Sequence, residues 1–345
     1  MATILKKHYR HLNLDWFLEL VFDGTFEKKE LKERMRHTTL ALHSTFPKDY
    51  AKAVAILKKA APEVKGFEAM CLPDYVEVYG QDDWDLSLEA MAVFTQYSSS
   101  EFAIRPYLQK DPKRGMAYML KLTGHKEANV RRFASEGCRP RLPWAMALPV
   151  FKKDPTLILP ILEKLKDDES EFVRKSVGNN LNDISKDNPK VVLDLCKKWQ
   201  GQSPCTDWII KHACRTLLKA GSTQALRLFG FGDPKAIDIK AFKLEEKQLH
   251  IGDDLHFSFK VEVNTKKPTK LRLEYRITFA KAKGKTSQKV FQIKEGSFDP
   301  GTQTIKRKQS FANMSTRKHY PGDHHIAIIV NGVEKVKKSF AVLSS

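Results

Sequence analysis

From the N-terminus to about residue 233, apolar positions recur every three or four residues, the spacing of one face of an α-helix. DPTLILPILEKL (154–165) and SEFVRKSVGNNLNDI (170–184) show this plainly. Breakers separate the helical stretches: Asp111-Pro112 after a helix expected over 101–110, then Gly124, Pro140 and Pro143, and Asn188-Pro189. Helices of about ten to fifteen residues with short connections suggest stacked hairpins. An apolar–basic pair recurs at Ile104-Arg105, Val130-Arg131, Val173-Arg174 and Ile210-Lys211, separated by 26, 43 and 37 residues. The last two intervals approach the roughly 40–47-residue period of HEAT-type repeats. After Asp233-Pro234 the period becomes two. LHFSFKVEV (255–263) and KLRLEYRITF (270–279) alternate apolar with polar, and HHIAIIV (324–330) meets VEKVKKSFAVL (333–343) across Asn331-Gly332, a strong hairpin signal. About seven such strands predict a small β-sandwich of immunoglobulin type. The expected architecture is therefore an all-α HEAT-like solenoid over 1–233 followed by an all-β sandwich over 234–345.

Composition supports two folded domains. The chain has 345 residues, 41% of them hydrophobic and 10% aromatic, enough to fill real cores. No apolar run is long enough for a membrane span, and the first residues lack a secretory signal, so a cytoplasmic, monomeric protein is expected. Five cysteines without a CxxC and eleven scattered histidines predict neither a disulfide framework nor a metal site, and no cofactor is expected.

Charge adds a partner. The formal net charge is +19, which favours a polyanion and excludes little else. The first 234 residues carry a net +7 and the remainder +12, so the β half is the more basic. Within 102–153, twelve Lys and Arg stand against three acids, a stripe suited to phosphates. Three segments set acids among those cations: Glu101 with Arg105; Glu136 with Arg131, Arg132, Arg139, Arg141 and Trp144; Asp183 with Asn179, Asn180 and Lys186. Arg132 and Glu136 share a helical face, as do Asn179 and Asp183. Phosphate binding alone disfavours acids there. Helix capping by Glu101 and ion pairing by Glu136 and Asp183 are the alternatives that spacing leaves open.

SEFAIRPYL (100–108), VRRFASEGCRPRLPW (130–144) and VRKSVGNNLNDISKDNP (173–189) together resemble the DNA alkylation repair glycosylases built from HEAT-like repeats, the AlkC/AlkD superfamily, and within it the AlkC branch. The likeness spans about residues 1–230, and some AlkC-type members carry a C-terminal immunoglobulin-like domain. The AlkD branch has tryptophan where this chain has Asn179 after Gly178, which argues for the AlkC type. The resemblance implies hydrolysis of the N-glycosidic bond of cationic alkylated bases, of the N3-methyladenine kind, in duplex DNA without base flipping. It places Glu101, Glu136 and Asp183 beside the lesion, with Glu136 nearest the anomeric carbon and Asp183 or Glu101 positioning water. Trp144 would pack on the sugar or lesion. Arg105, Arg131, Arg132, Arg139, Arg141, Asn179, Asn180, Lys186, Lys211 and Arg215 become candidate DNA contacts, and Trp208 is expected in the core. A cationic base leaves readily, so the carboxylates are needed for the oxocarbenium-like sugar rather than for protonating the leaving group. The basic sandwich would act as a second clamp on DNA. A non-catalytic architectural DNA-binding protein is the alternative of a different class, and a protein-binding scaffold a weaker third.

Overall fold

Prolines and capping side chains divide the helical region into short segments in the computed structural model, which describes residues 1–314 and 317–344. The described residues form two compact units, Met1–Cys214 and Arg215–Ser345. In the first, the early helices are α1 (Ala2–His8), α2 (Leu14–Val21), α3 (Leu31–Thr45), α4 (Tyr50–Ala60), α5 (Cys71–Tyr79) and α6 (Trp84–Phe94). There follow α7 (Arg105–Lys110), α8 (Pro112–Leu122), α9 (Ala128–Glu136), α10 (Pro149–Lys153) and α11 (Leu159–Leu165). The unit ends with α12 (Glu171–Ile184), α13 (Pro189–Trp199) and α14 (Pro204–Ala213).

The breakers act as starts as well as stops. Asp111 ends α7 and caps α8 by accepting a hydrogen bond from the Arg114 amide, with Pro112 as the first helical residue. Pro189 and Pro204 are likewise the first residues of α13 and α14, and Ser203 caps α14 by accepting from the Thr206 amide. One boundary differs from expectation. Glu101 lies in a turn, and the helix begins only at Arg105. Pro106 is the reason, because a helix begun at Glu101 would carry it in its interior, where its ring clashes and a hydrogen bond is lost. Helices that pack closely are never more than three apart in the chain; α9 packs on α12 and α12 on α14. Neighbour-on-neighbour packing of this kind is what stacked hairpins require.

The second unit begins with α15 (Arg215–Lys219) and α16 (Thr223–Leu228). Its strands are β1 (Ile237–Leu244), β2 (Gln248–His250), β3 (Asp254–Val263), β4 (Thr269–Ala280), β5 (Thr286–Phe298), β6 (Gly301–Ser310), β7 (Gly322–Val330) and β8 (Val333–Leu343). They build a three-stranded sheet, β1-β3-β6, and a five-stranded sheet, β2-β8-β7-β4-β5. The predicted alternation is realised in β3, where Leu255, Phe257, Phe259, Val261 and Val263 are buried while the residues between them are not. Their side chains join Leu271, Leu273, Ile277, Phe298, Phe311, Ile326 and Ile328 in one core. Asn331 and Gly332 both have positive φ, 45° and 78°, as a two-residue hairpin turn of the primed type demands. Gly332 is needed for space too. A Cβ there would lie 2.4 Å from the Gly221 Cα, so the turn between α15 and α16 packs on the hairpin tip. The Asn331 side chain donates to the Gly232 carbonyl at 2.7 Å and accepts from the Arg272 amide at 2.7 Å. These contacts assign α15 and α16 to the same compact unit as the strands.

Candidate active site

Glu136 is the last residue of α9, Arg132 stands one turn before it, and Asp183 lies near the end of α12. Close helix packing around them depends on two glycines. A Cβ on Gly137 would approach the Ile104 and Met119 side chains to 2.8 and 2.9 Å, and one on Gly178 would lie 2.9 Å from the His212 ring. These separations are shorter than carbon atoms tolerate, so a side chain at either position forces the neighbouring side chains to shift.

The three acids meet in one network. Glu101 pairs with Arg132 at 3.4 Å, and Arg132 pairs with Glu136 at 3.6 Å. Glu136 accepts from Arg139 Nη1 at 2.7 Å, and Arg139 Nε donates to Asp183 at 2.9 Å. Lys186 Nζ closes the row at 3.2 Å from Asp183. Acid and base alternate along its whole length, three of each. Glu136 is 5% exposed and Asp183 2%. The second oxygen of Glu136 accepts from the Ser176 hydroxyl at 2.7 Å, and Ser135 and Ser176 are themselves 2.7 Å apart. For Arg139, burial lowers the pKa, but the charges of Glu136 and Asp183 and its hydrogen bonds to them outweigh that and raise it above the ordinary value. Such a row keeps carboxylates fixed inside a protein surface without net charge.

The structure gives other work to four residues expected to touch DNA, the first of them Arg139, buried and held between Glu136 and Asp183. Arg105 is fully buried; its Nε and Nη1 donate to the Met146 and Gly137 carbonyls at 2.6 and 3.0 Å, and burial pulls its pKa down to about 10. It braces the 137–146 loop and is out of reach of a phosphate. Arg131 forks onto Asp168 at 2.6 and 2.9 Å and donates to the carbonyls of His125 and Lys126. Arg174 makes the equivalent bonds to the carbonyls of Asp168 and Glu169. The apolar–basic repeat is therefore structural at these two positions: each arginine ties down the turn that precedes its own helix. Asn180 is buried, donating to the Ser135 carbonyl at 2.8 Å, and holds α12 against α9.

The remaining positions are nearer the surface. Arg141 pairs in bidentate fashion with Asp187 at 3.0 and 2.7 Å. Asn179 Oδ1 accepts from His212 Nε2 at 2.9 Å. Lys211 is exposed on α14, and Arg215 opens α15 in the second unit. Trp208 is not a core residue: it is 41% exposed and stacks on His212, with ring centroids 5.0 Å apart.

Trp144 is 72% exposed and has φ of 63°, a left-handed conformation unusual for a bulky side chain. Its carbonyl accepts from Lys32 Nζ of α3 at 2.7 Å. A strained and solvent-exposed indole contributes little to folding stability. Trp144→Gly is expected to raise folding stability by about 0.5–1 kcal/mol by relieving that conformation. The same change should slow turnover, and thermal melting measured beside an activity assay checks both.

A family model described as DNA alkylation repair enzyme matches residues 29–217. The chain belongs to the DNA alkylation repair enzyme family. A second model, the C-terminal Ig-like domain of the uncharacterised protein YhaZ, matches residues 238–344, so the β-domain is immunoglobulin-like. The uncharacterised protein YhaZ of Bacillus subtilis (strain 168) is 46% identical over 339 residues, covering 98% of this chain and 94% of that one. The alkylpurine DNA glycosylase AlkC of Pseudomonas fluorescens, solved bound to DNA containing an abasic site analogue, superposes with a TM-score of 0.95 at 38% identity. That match covers 99% of this chain and 96% of the other.

Two residues of the site escaped the reading of the sequence. Ser176 and Phe172 lie on the α12 segment, whose motif drew attention only to its amides and its acid. Phe172, 50% exposed at the start of the helix, covers the Arg132 guanidinium at 4.5 Å. An aromatic residue next to Val173, which alone fills the core-facing position of the first turn, was the available signal. No helix of the described residues is long and apolar enough to cross a membrane. Among those residues, Glu245, Glu246 and His256 of the second unit could offer ligand atoms within 4.8 Å of one another, without taking part in this site.

Proposed function

We propose that this protein is an alkylpurine DNA glycosylase that removes cationic bases of the N3-methyladenine kind from duplex DNA without extruding them. The observation that carries this reading is the row of three carboxylates and three cations built by the very segments that distinguish the family. The similarity to AlkC, a glycosylase solved on DNA, supports the same substrate class. An N3-alkylated adenine is already positively charged, so bond cleavage needs no acid. As the bond breaks, positive charge passes to the sugar, and a fixed carboxylate nearby lowers that state more than the ground state.

In this reading Glu136 faces the anomeric carbon, Asp183 or Glu101 orients water, and Trp144 packs on the sugar or the lesion. Lys186, Arg141, Lys211 and the exposed lysines of the immunoglobulin-like domain supply the cations for phosphate. A chain acting as a monomer on duplex DNA completes the proposal. An architectural DNA-binding protein would also tolerate ion-paired acids, and one assay separates the two. Wild-type protein incubated with methylated duplex should liberate free base and leave abasic sites; tight binding with no release would leave only the architectural reading.

The β-domain makes its own prediction. Neutralising Lys283 and Lys285, both exposed beside β5, should flatten the dependence of log K on log salt by about 0.9 for each lysine that meets a phosphate. An unchanged slope would show that this loop stays off the DNA.

A further inference from the structure

Arg131 and Arg132 are neighbours in sequence and opposites in bonding. Arg131 makes contacts of 2.6, 2.9, 2.8 and 3.0 Å to fixed partners. The Arg132 contacts are all long: 3.3 Å to Ser99 Oγ, 3.4 Å to Glu101 and 3.6 Å to Glu136. Its other support is the exposed ring of Phe172, 4.5 Å away. Contacts beyond about 3.2 Å carry little directional bonding, so charge and a ring face hold Arg132 in place. Arg139, on the far side of Glu136, is locked by 2.7 and 2.9 Å bonds to two acids.

The balance of charge makes this difference matter. With Arg132 in place the row is neutral; without it, three acids face two bases and the site carries one negative charge. One positive charge is what an alkylated base brings. Arg139 stays on Glu136 at 2.7 Å, so a second guanidinium left between Glu101 and Glu136 would add a further repulsion to that cation and to the sugar cation that follows it. Guanidinium also matches phosphate geometry better than it matches two separately placed carboxylates.

We propose that Arg132 is a displaceable counter-ion. In the DNA-free protein it neutralises Glu101 and Glu136 against the Phe172 ring. When a damaged duplex binds, it moves to a backbone phosphate, removes one cation from between Glu101 and Glu136 and frees the ring for the cationic base, while Glu136 keeps its bonds to Arg139 and Ser176. The idea rests on the glycosylase reading and adds to it a link between gripping the backbone and arming the site. Arg132 is thus a positioning residue whose partner changes, whereas Arg139 is a fixed strut.

The test uses the full chain and a duplex carrying an abasic-site analogue, with affinity measured across a salt series. Arg132→Gln should lower the slope of log K against log salt by about 0.9, one phosphate contact, and Arg132→Lys should restore it. In single-turnover base release the glutamine variant should lose mainly in half-saturating protein concentration, with less than threefold lost in maximal rate. An unchanged slope in Arg132→Gln, with the loss concentrated in maximal rate, would overturn the proposal and make Arg132 a second strut. Should the glutamine variant fail to fold, the lysine variant decides. Lysine cannot span Glu101 and Glu136, so a tenfold fall in its maximal rate overturns the idea, and a fall under threefold supports it. If the wild-type chain releases no base, the glycosylase reading fails by itself, and the salt slope still reports whether Arg132 reaches phosphate.

Discussion

Glu136→Gln is expected to slow base release from methylated duplex DNA by about 10²–10³-fold while changing duplex affinity by about threefold or less. The substitution keeps the shape of the side chain and removes its charge. One amide oxygen still accepts from Arg139 in place of the 2.7 Å bond, and the amide nitrogen can donate to Ser176, whose hydroxyl turns to accept. Folding should therefore lose only about 1 kcal/mol, the scale of a hydrogen bond whose charge assistance has gone. What disappears is the negative potential where the sugar develops positive charge, and that is felt only in the transition state. Single-turnover kinetics at saturating protein separates the two effects. A variant with wild-type rate would show that Glu136 serves the network alone.

The second large effect concerns stability. Arg139→Ala should destabilise the fold by about 3–5 kcal/mol, because it strands two acids that are almost wholly buried. Glu136 would keep only the long contact to Arg132 and its Ser176 bond, and Asp183 only Lys186 at 3.2 Å. Arg139→Lys should recover part of the loss, since a single ammonium cannot reproduce a fork that serves Glu136 through Nη1 and Asp183 through Nε. The pKa of Arg139 is raised, so its charge persists to high pH, and the destabilisation should not diminish on the alkaline side. Denaturant unfolding of the three proteins measures this; a loss below 1 kcal/mol in the alanine variant would mean that the acids find other partners.

Much of this architecture could be read from the chain, for physical reasons that particular residues make clear. The change of period reports burial of one face or two, and β3 follows it residue by residue. Asp111-Pro112 and Asn331-Gly332 are local instructions, since capping and positive φ depend on few neighbours. The acids of the site were legible because they contradict the charge around them. Arg105 and Arg131 were not, since their burial is set by distant partners: the Gly137 and Met146 carbonyls for one, Asp168 for the other. An arginine in a basic motif looks the same whether it meets a phosphate or a carbonyl. The short β2, paired in parallel with the end of β8 through Gln248–His250, is likewise a long-range event with no local signature. Phe172 and Ser176 gain their meaning only from the helix opposite.

If anionic side chains meet a sugar at the moment it becomes a cation, a stable imitation of that cation should bind better than a neutral one. Two duplexes would be compared, one with a neutral tetrahydrofuran abasic analogue and one with a pyrrolidine ring whose protonated nitrogen stands for the cationic sugar. Wild-type protein should bind the cationic duplex at least ~10²-fold more tightly, the lower range for transition-state mimics, and Glu136→Gln should lose most of that preference. Equal affinity of the wild-type protein for both duplexes would show that no carboxylate faces the sugar as it becomes a cation.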